Sequence, residues 1–273
     1  MATHSHAVVT RFLILSDTHN FESETAEGCP LKQQMPRVDV LLHCGDLTQI
    51  GGLSAYKGAL RMLEPFDAEL KLVIAGNHDI SLDGEYWRAH LEDDDEPKEH
   101  DQVVAIMTGP LALKANTTTF TIFVSPYQPE CGEWAFGYQR GERIWQIPEG
   151  VDIVVTHGPP KGILDFARNE TVGCEALFQA VERSRPLMHC FGHIHEGYGT
   201  ENRVWEERND EAAERCTASV SKAGVEDVVE DTVTLVRGKS TLTVNAAIMD
   251  EHNKPANAPW LVELPLRGSK LRP

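Results

Sequence analysis

The sequence lacks a long hydrophobic segment and lacks an excess of basic residues. None of its apolar runs approaches the ~18 residues that cross a bilayer, and the N-terminus, Met-Ala-Thr-His-Ser-His, has neither a basic region nor a long apolar segment. Among the 273 residues, 42 are acidic and 25 are basic, so the formal net charge is −17. We therefore expect a cytoplasmic protein that binds neither duplex nucleic acid nor an anionic membrane surface.

Paired cysteines and two common catalytic motifs are lacking as well. The six cysteines are scattered without a Cys-x-x-Cys pair, which favours reduced thiols over a disulfide framework. The absence of a Gly-x-Ser-x-Gly elbow argues against a serine hydrolase, and the absence of a Walker-type glycine loop excludes P-loop chemistry. Cys44 and Cys190 are conceivable nucleophiles, but both lie in apolar runs, where a buried and inert thiol is the commoner case.

What the sequence does contain is a set of five apolar runs, each followed at once by polar residues beside a glycine. The runs are Val8–Leu15, Val38–Leu42, Leu70–Ala75, Val151–Val155 and the run that ends at Gly192. A continuous apolar run is typical of a strand that is buried on both faces. Asp46 follows Asp17 by 29 positions, Asn77 follows Asp46 by 31, and His193 follows His157 by 36. These spacings match strand-helix-strand units.

The polar residues after these runs are nitrogen and oxygen ligands for metal ions. The seven candidates are Asp17, His19, Asp46, Asn77, His157, His193 and His195. Open α/β sheets bind ligands at the carboxyl ends of their strands, and two histidines one residue apart on a loop can each serve a different ion. Seven such ligands are too many for one tetrahedral zinc and suit two octahedral or five-coordinate ions such as Mn, Fe or Zn.

Two divalent ions about 3.5–4 Å apart repel each other, so an anion has to lie between them. Asp46 is the expected bridging carboxylate, since it stands alone in its motif. A bridging hydroxide would act as the nucleophile, because metal ions lower the pKa of bound water towards neutrality. A glycine beside a ligand allows a tight turn and a close backbone approach, which explains Gly45, Gly76, Gly158 and Gly192.

In order and spacing, these motifs resemble those of the calcineurin-like metallophosphoesterases over about residues 10–200. The motifs are Asp-Thr-His, Gly-Asp, Gly-Asn-His-Asp, Thr-His-Gly and Gly-His-Ile-His. The phrases VIAGNHD, IPEGVDIVVTHGPP and FGHIHEGYG are similar to one branch, the metallophosphoesterase-domain-containing (MPPED-like) proteins. The resemblance implies an α/β fold, a four-layer αββα sandwich of two mixed β-sheets flanked by helices, with a dinuclear centre at the strand ends.

The resemblance also implies a role for each motif residue. It places Asp17, His19 and His195 on a first metal and Asn77, His157 and His193 on a second. Asp46 would lie between the two metals. His78 would steady the phosphate or protonate the leaving group without binding metal, and Asp79 would orient His78. Some members of the branch carry glycine in place of His193, and this chain does not share that defect.

The remainder of the chain predicts a single domain over residues 8–267, with tails at 1–7 and 268–273. Further predicted elements are helices over Leu53–Pro65, Gly84–Leu91 and Gly173–Ser184, hairpins of Leu111–Lys114 with Thr118–Ser125 and of Thr232–Val236 with Thr241–Ala246, and a last strand over Trp260–Leu264. The acidic segment 206–231, poor in bulky apolar residues, is interpreted as a surface insertion. The aromatic loop Pro126–Trp145 is compatible with packing or with function.

We therefore expect a metal-dependent hydrolase, a phosphodiesterase or other phosphoesterase of a small molecule such as a cyclic nucleotide. Its cofactors would be two divalent metal ions, with Mn favoured over Fe, Zn, Co or Mg. Two alternatives are the same centre acting on a non-phosphate ester or lactone, and a non-catalytic metal-binding scaffold. Residues 21–37, residues 201–231 and the stretch around Ser125–Tyr127 depart from the branch. Because these loops would wall the cleft, the substrate stays open, as does the oligomeric state.

Overall fold

Strands and helices alternate along the chain. The structure is a computed structural model that describes residues 7–21, 31, 33–90, 99–107, 118–206, 214–225 and 230–267. Its strands are β1 (Ala7–Leu15), β2 (Val38–His43), β3 (Ala68–Val73), β4 (Ile122–Ser125), β5 (Gln128–Pro129), β6 (Gly137–Tyr138), β7 (Ile153–Thr156), β8 (Phe166–Ala167), β9 (Glu170–Thr171), β10 (Met188–Phe191), β11 (Gly199–Val204), β12 (Arg215–Lys222), β13 (Asp231–Val236), β14 (Ser240–Asn245) and β15 (Trp260–Arg267). The helices are α1 (Leu53–Leu63), α2 (Gly84–Ala89), α3 (Glu99–Met107) and α4 (Glu175–Ser184), with short 3-10 turns at Ile80–Leu82 and His195–Gly197.

All five apolar runs form strands, as predicted, and they lie in two sheets. The first sheet has the order β13-β12-β15-β1-β2-β3, in which β1, β2 and β3 are parallel neighbours. The second has the order β11-β14-β10-β7-β4, in which β4, β7, β10 and β14 are parallel. Antiparallel pairs, β1 with β15 and β11 with β14, make both sheets mixed.

The alternation of side chains along each strand sorts the apolar residues into layers. In β1, Ile14 lies in the core between the two sheets, together with Val155 of β7. Its neighbour Leu13 lies on the other face of the first sheet and packs in a cluster with Leu63 of α1. This is why the strand residues are apolar without interruption, since each strand buries both of its faces.

Both outer faces are covered by amphipathic helices. The buried residues of α1 include Ala59 and Leu63, which are four positions apart and lie on one helix face. In α4 the buried residues include Leu177 and Val181, which pack against Val154 on the outer face of the second sheet. The order helix, sheet, sheet, helix confirms the predicted four-layer sandwich of mixed sheets. In the described ranges no helix is long and apolar enough to span a membrane.

The predicted hairpin of Thr232–Val236 with Thr241–Ala246 is wrong. Both segments are strands, but β13 pairs with β12 in the first sheet, whereas β14 pairs with β10 and β11 in the second. The turn at Gly238, with φ +74°, therefore carries the chain from one sheet to the other. An apolar pattern records which residues are buried, and it does not record which strand is the hydrogen-bonding partner.

The predicted surface insertion 206–231 is wrong for its central part. Residues Arg215–Lys222 form β12, which lies between β13 and β15 in the first sheet. Ala218 and Val220 are buried in the core between the sheets. The segment was interpreted as an insertion because it is acidic and poor in bulky apolar residues. The strand escapes this criterion, because the side chains that it buries are small. Residues 207–213 and 226–229 lie outside the described residues, as do the tails 1–6 and 268–273 and the predicted strand Leu111–Lys114.

The place of β12 in the core predicts a difference between two valines. Val220 is 2% exposed, whereas Val225 is 40% exposed. Val220→Ala should lower the free energy of unfolding by roughly 2 kcal/mol, because it leaves a cavity between the sheets. Val225→Ala should change it by less than about 0.5 kcal/mol. Urea denaturation followed by circular dichroism measures both, and equal, small effects would contradict the burial of β12.

Candidate metal centre

The loops that follow β1, β2 and β3 in the first sheet and β7 and β10 in the second meet at one edge of the sandwich. Backbone hydrogen bonds join them: Asp17 N donates to Gly45 O at 2.9 Å, and His19 N donates to Asp46 O at 3.0 Å. Gly192 N donates to His157 O at 2.9 Å. Because parallel strands end at the same edge, residues far apart in sequence become neighbours there.

This edge brings together all seven predicted ligands. Ligand atoms of Asp17, His19 and His195 lie within 4.8 Å of one another, and so do those of Asp46, His157 and His193. Asn77 joins the second group, since its Oδ1 lies 2.9 Å from His157 Nε2. The two groups have the membership that the resemblance implies for two metal ions.

Asp46 lies between the two groups. Its Oδ2 is 3.7 Å from His19 Nε2 in one group and 3.4 Å from His157 Nε2 in the other. Its Oδ1 accepts a hydrogen bond of 2.9 Å from His78 N, which restrains that carboxylate oxygen. One carboxylate oxygen therefore faces both sets of imidazole nitrogens, as a bridging ligand requires.

Two of the four candidate imidazole ligands, His157 and His195, are oriented by backbone carbonyls. His157 Nδ1 lies 2.9 Å from Cys44 O, and His195 Nδ1 lies 3.2 Å from Asp250 O. A carbonyl can only accept, so each Nδ1 carries the hydrogen and donates it. The Nε2 atoms are then the ones available to a metal, which is the usual arrangement of ligating histidines. These residues fit a divalent metal centre by their tautomers as well as by their donor types.

Charge compensation dominates the electrostatics of the centre. Burial by itself would raise the pKa of Asp46, but the charge and hydrogen bond of His157 outweigh burial and lower this pKa to about 2. Burial by itself would lower the pKa of His157, but Asp46 and Asp17 raise it to about 9. The cluster thus draws a proton onto a ligand nitrogen. A metal cation could supply the same positive charge while releasing that proton.

Four of the candidate ligands have a left-handed backbone conformation. The φ angles are 57° at Asp17, 43° at His19, 54° at Asp46 and 67° at His193. For residues other than glycine such a conformation costs of order 1–3 kcal/mol and persists only where the surroundings enforce it. At His193 the enforcing contact is its N–H, which donates to Asp17 Oδ2 at 3.0 Å. Four of the seven candidate ligands therefore carry local backbone strain.

His78 lies beside both groups, with a ring nitrogen within 4.8 Å of ligand atoms of His19 and Asp46. Its Nδ1 is 2.7 Å from Gln49 O and must donate to that carbonyl. Nε2 is therefore the ring nitrogen that can meet a substrate. The sequence-based role of a non-ligating histidine next to the metals stays a prediction, because the ring is also close enough to the centre to act as a ligand.

That Asp79 orients the His78 ring stays a prediction, and the hydrogen bonds described for the Asp79 carboxylate go to other residues. Gln49 holds that ring, and the Asp79 carboxylate instead joins the loops after β2 and β3. Its Oδ1 accepts from Thr48 N at 3.0 Å and from Thr48 Oγ1 at 2.8 Å, and its Oδ2 accepts from Gly76 N at 2.9 Å. Burial, followed by the charge of Asp46, raises the pKa of Asp79 to about 7.

The centre opens into a cleft of about 350 Å³. Its wall includes residues that the motif search did not assign to the site: Gln49, Cys131, Trp134, Arg168, Met249 and Asn253. Trp134 belongs to the aromatic loop, whose composition left packing and function equally open. Arg168 lies at the turn between β8 and β9 with φ 52°, followed by Asn169 with φ 67°. No motif marks an arginine of this kind in the sequence.

The family model and the sequence relatives agree with the geometry. Residues 10–197 match the family model "Calcineurin-like phosphoesterase". The chain is 33% identical over 275 residues to metallophosphoesterase domain-containing protein 1 of Homo sapiens and of Mus musculus, across 94% of this chain and 71% of each relative. A solved phosphopantetheinyl hydrolase from Mycobacterium tuberculosis is similar with a TM-score of 0.42 and 13% identity, over 67% of this chain and 82% of that one.

The tight approach of two loops predicts that Gly192 tolerates no side chain. A Cβ there would collide with the Asp17 carboxylate and the Ser16 hydroxyl, whereas a Cβ at Gly58 in α1 would have Arg61 Nη2 as its nearest contact at 3.8 Å. Gly192→Ala should lower the free energy of unfolding by about 1–3 kcal/mol and reduce metal content. Gly58→Ala should be neutral or stabilising by up to about 1 kcal/mol. Thermal unfolding and elemental analysis test both, and a metal-replete, stable Gly192→Ala protein would refute the packing argument.

The position of Asp46 predicts that both metal sites depend on it. Asp46→Asn should bring the metal content below one ion per chain, because the carboxylate offsets the repulsion between the ions. Asp39→Asn is the matched control, since the Asp39 carboxylate accepts a hydrogen bond of 2.7 Å from Arg11 N on the neighbouring strand and belongs to neither ligand group. Mass spectrometry of dialysed protein measures the content. Two retained ions in Asp46→Asn would exclude the bridging role.

Proposed function

Because this chain belongs to the calcineurin-like phosphoesterase family, whose members are metal-dependent phosphoester hydrolases, we propose that it is a phosphodiesterase of small molecules with two divalent metal ions. Cyclic nucleotides are the favoured substrates. Manganese is the favoured metal, since carboxylate and amide oxygen ligands suit Mn. The imidazoles suit Fe and Zn, which stay alternatives together with Co and Mg.

The main support for two ions is the placement of Asp46 Oδ2, at 3.7 Å from His19 Nε2 and 3.4 Å from His157 Nε2. In this proposal a first ion would be held by Asp17, His19 and His195, and a second by Asn77, His157 and His193. Asp46 would contribute to both. When bound, such ions lower the pKa of water towards neutrality and neutralise charge on a phosphoryl group.

The protein residues supply orientation and proton transfer. His78 donates its Nδ1 hydrogen to Gln49 O, so Nε2 is the ring nitrogen left for the substrate. The donor role requires the imidazolium form, in which Nε2 also carries a proton and gives it to the oxygen of a leaving alcohol. Asp79 keeps the loop of His78 against the loop of Asp46 through Thr48 and Gly76. The His78 N–H donates a hydrogen bond to Asp46 Oδ1, which ties the backbone of the proton donor to the centre.

The cleft supports a small substrate. Its volume of about 350 Å³ is near the lower end of the roughly 300–1,000 Å³ of small-molecule sites. Arg168 on its wall offers a guanidinium group, which suits a phosphate. The net charge of −17 does not oppose an anionic substrate, because two divalent ions against the carboxylates of Asp17 and Asp46 leave the centre positive by about two charges.

The proposal is tested by metal analysis together with hydrolysis of four probes: an aryl phosphodiester, the matching aryl phosphomonoester, a 3′,5′-cyclic nucleotide and the matching aryl acetate. Each is measured with the protein as purified, after chelation, and after addition of Mn²⁺. We expect two ions per chain and diester hydrolysis that chelation abolishes and Mn²⁺ restores. Hydrolysis of the acetate alone would favour the non-phosphate alternative, and bound metal without hydrolysis of any probe would favour the scaffold alternative.

The proton-donor role of His78 makes a separate prediction. His78→Ala should lower kcat by about 10²–10⁴-fold, the usual contribution of a positioned acid, with unchanged metal content. His90→Ala is the control, because His90 lies at the end of α2 with its Nδ1 2.9 Å from Tyr86 O. Metal content and steady-state kinetics are measured on the same samples. Loss of metal in His78→Ala would identify His78 as a ligand.

A further inference from the structure

One hydrogen bond does not fix the plane of the His78 ring. The bond from Nδ1 to Gln49 O, 2.7 Å long, lies at an exposed position and restrains a single ring atom. Two ring contacts complete the restraint. His19 meets the imidazole edge to face, with centroids 4.7 Å apart and an interplanar angle of 84°. Trp134 lies against the imidazole with centroids 3.9 Å apart and an angle of 33°. Rotation of the ring would break the Trp134 contact first, because it is the closest.

The backbone around Trp134 is held by side chains of other segments. Tyr86 OH donates to Glu133 O at 2.9 Å, and Gln128 Nε2 donates to Ala135 O at 2.9 Å. Phe136 N donates to Asp83 Oδ2 at 2.9 Å. Bonds on both sides of Trp134 therefore restrain the loop, and a tryptophan in a loop anchored in this way can serve as a rigid surface.

Asp83 and Tyr86 belong to the same segment as His78. The 3-10 turn Ile80–Leu82 leads from the His78 loop into α2, and Asp83 is the N-cap residue of α2. Asp83 Oδ1 accepts from Glu85 N and Tyr86 N, each at 3.1 Å, while Oδ2 accepts from Phe136 N. His78 is thus connected to the aromatic loop in two ways. The chain leads from His78 to α2, which is hydrogen-bonded to the loop, and Trp134 of the loop contacts the His78 ring.

We propose that Trp134 is a positioning residue for His78, and that Asp83 fixes the loop from which Trp134 acts. This proposal rests on the proposed function of His78 as the proton donor. It gives the aromatic loop a role beyond packing: the loop sets the angle at which the imidazole faces the cleft.

The test compares Trp134→Ala, Trp134→Phe and Asp83→Asn with the parent and with His78→Ala. Asp83→Asn keeps an oxygen for the helix cap and replaces the acceptor of Phe136 N–H with an amide donor. Ile144→Ala is the control in the same loop, because Ile144 is 82% exposed. Two phosphodiesters are used that differ only in the leaving group, a nitrophenol and an alkyl alcohol, since a proton donor matters most when the leaving alcohol is a poor one.

We expect Trp134→Ala to lower kcat for the alkyl diester by about tenfold or more while kcat for the nitrophenyl diester falls much less. KM and metal content should stay within about twofold, as expected when transition-state stabilisation alone is lost. Trp134→Phe should restore most of the loss, Asp83→Asn should show a smaller loss of the same kind, and Ile144→Ala should match the parent.

A second readout does not depend on activity. In nuclear magnetic resonance spectra of histidine-labelled, metal-free protein, the His78 ring signals are identified by their absence in His78→Ala. An indole whose centroid lies 3.9 Å from that of the imidazole shields these ring protons, so Trp134→Ala should move the signals downfield and Ile144→Ala should not. Asp83→Asn should move them in the same direction by a smaller amount.

Three results for Trp134→Ala would overturn the proposal. They are an unmoved His78 signal, loss of metal, and a raised KM with unchanged kcat. The last result would mean that Trp134 contacts the substrate and does not position His78. If Asp83→Asn moves neither the signal nor kcat, the anchoring role of Asp83 is wrong. If the parent hydrolyses neither diester, the proposed function fails, and the His78 signal by itself decides whether Trp134 holds the ring.

Discussion

The constraint on which the rest of this structure depends is the burial of two carboxylates. Asp17 is 0% exposed and Asp46 is 2% exposed, and an uncompensated buried charge costs several kcal/mol. The groups that compensate these charges belong to loops after other strands. The Asp17 carboxylate contacts His195 and accepts a hydrogen bond from the N–H of His193. The Asp46 carboxylate contacts His157 and accepts a hydrogen bond from the N–H of His78. The loops of both sheets must therefore meet at one edge, where a cation completes the charge balance.

This requirement explains features that are unfavourable on their own. The left-handed φ angles at Asp17, His19, Asp46 and His193 are a local cost that the convergent contacts offset. The same crowding leaves no room for a side chain at Gly192, where a Cβ would collide with Asp17. The four-layer sandwich provides the rigid support, because apolar side chains on both faces of the central strands fix where each loop begins.

Sequence-based inference was most accurate where burial and chemistry are local properties. The apolar runs identified the central strands, and the donor types after them identified the residues that the structure brings together. The same reasoning failed for the pairing of β13 and β14 and for β12 in the core. The patterns of β13 and β14 predicted strands but did not encode their partners, and β12 was missed because its short apolar pattern lies within an acidic segment.

By itself, the sequence determined the central strands, the candidate ligands and the family, because buried strands need continuous apolar residues and metal sites need particular donors at strand ends. Only the tertiary structure decided that Gln49 and Trp134 hold the His78 ring, that Arg168 lies on the cleft wall, and that the chain changes sheets at Gly238. The physical reason is that these contacts join segments with no common periodicity. They exist only once hydrophobic burial has stacked the two sheets and brought their loops to one edge.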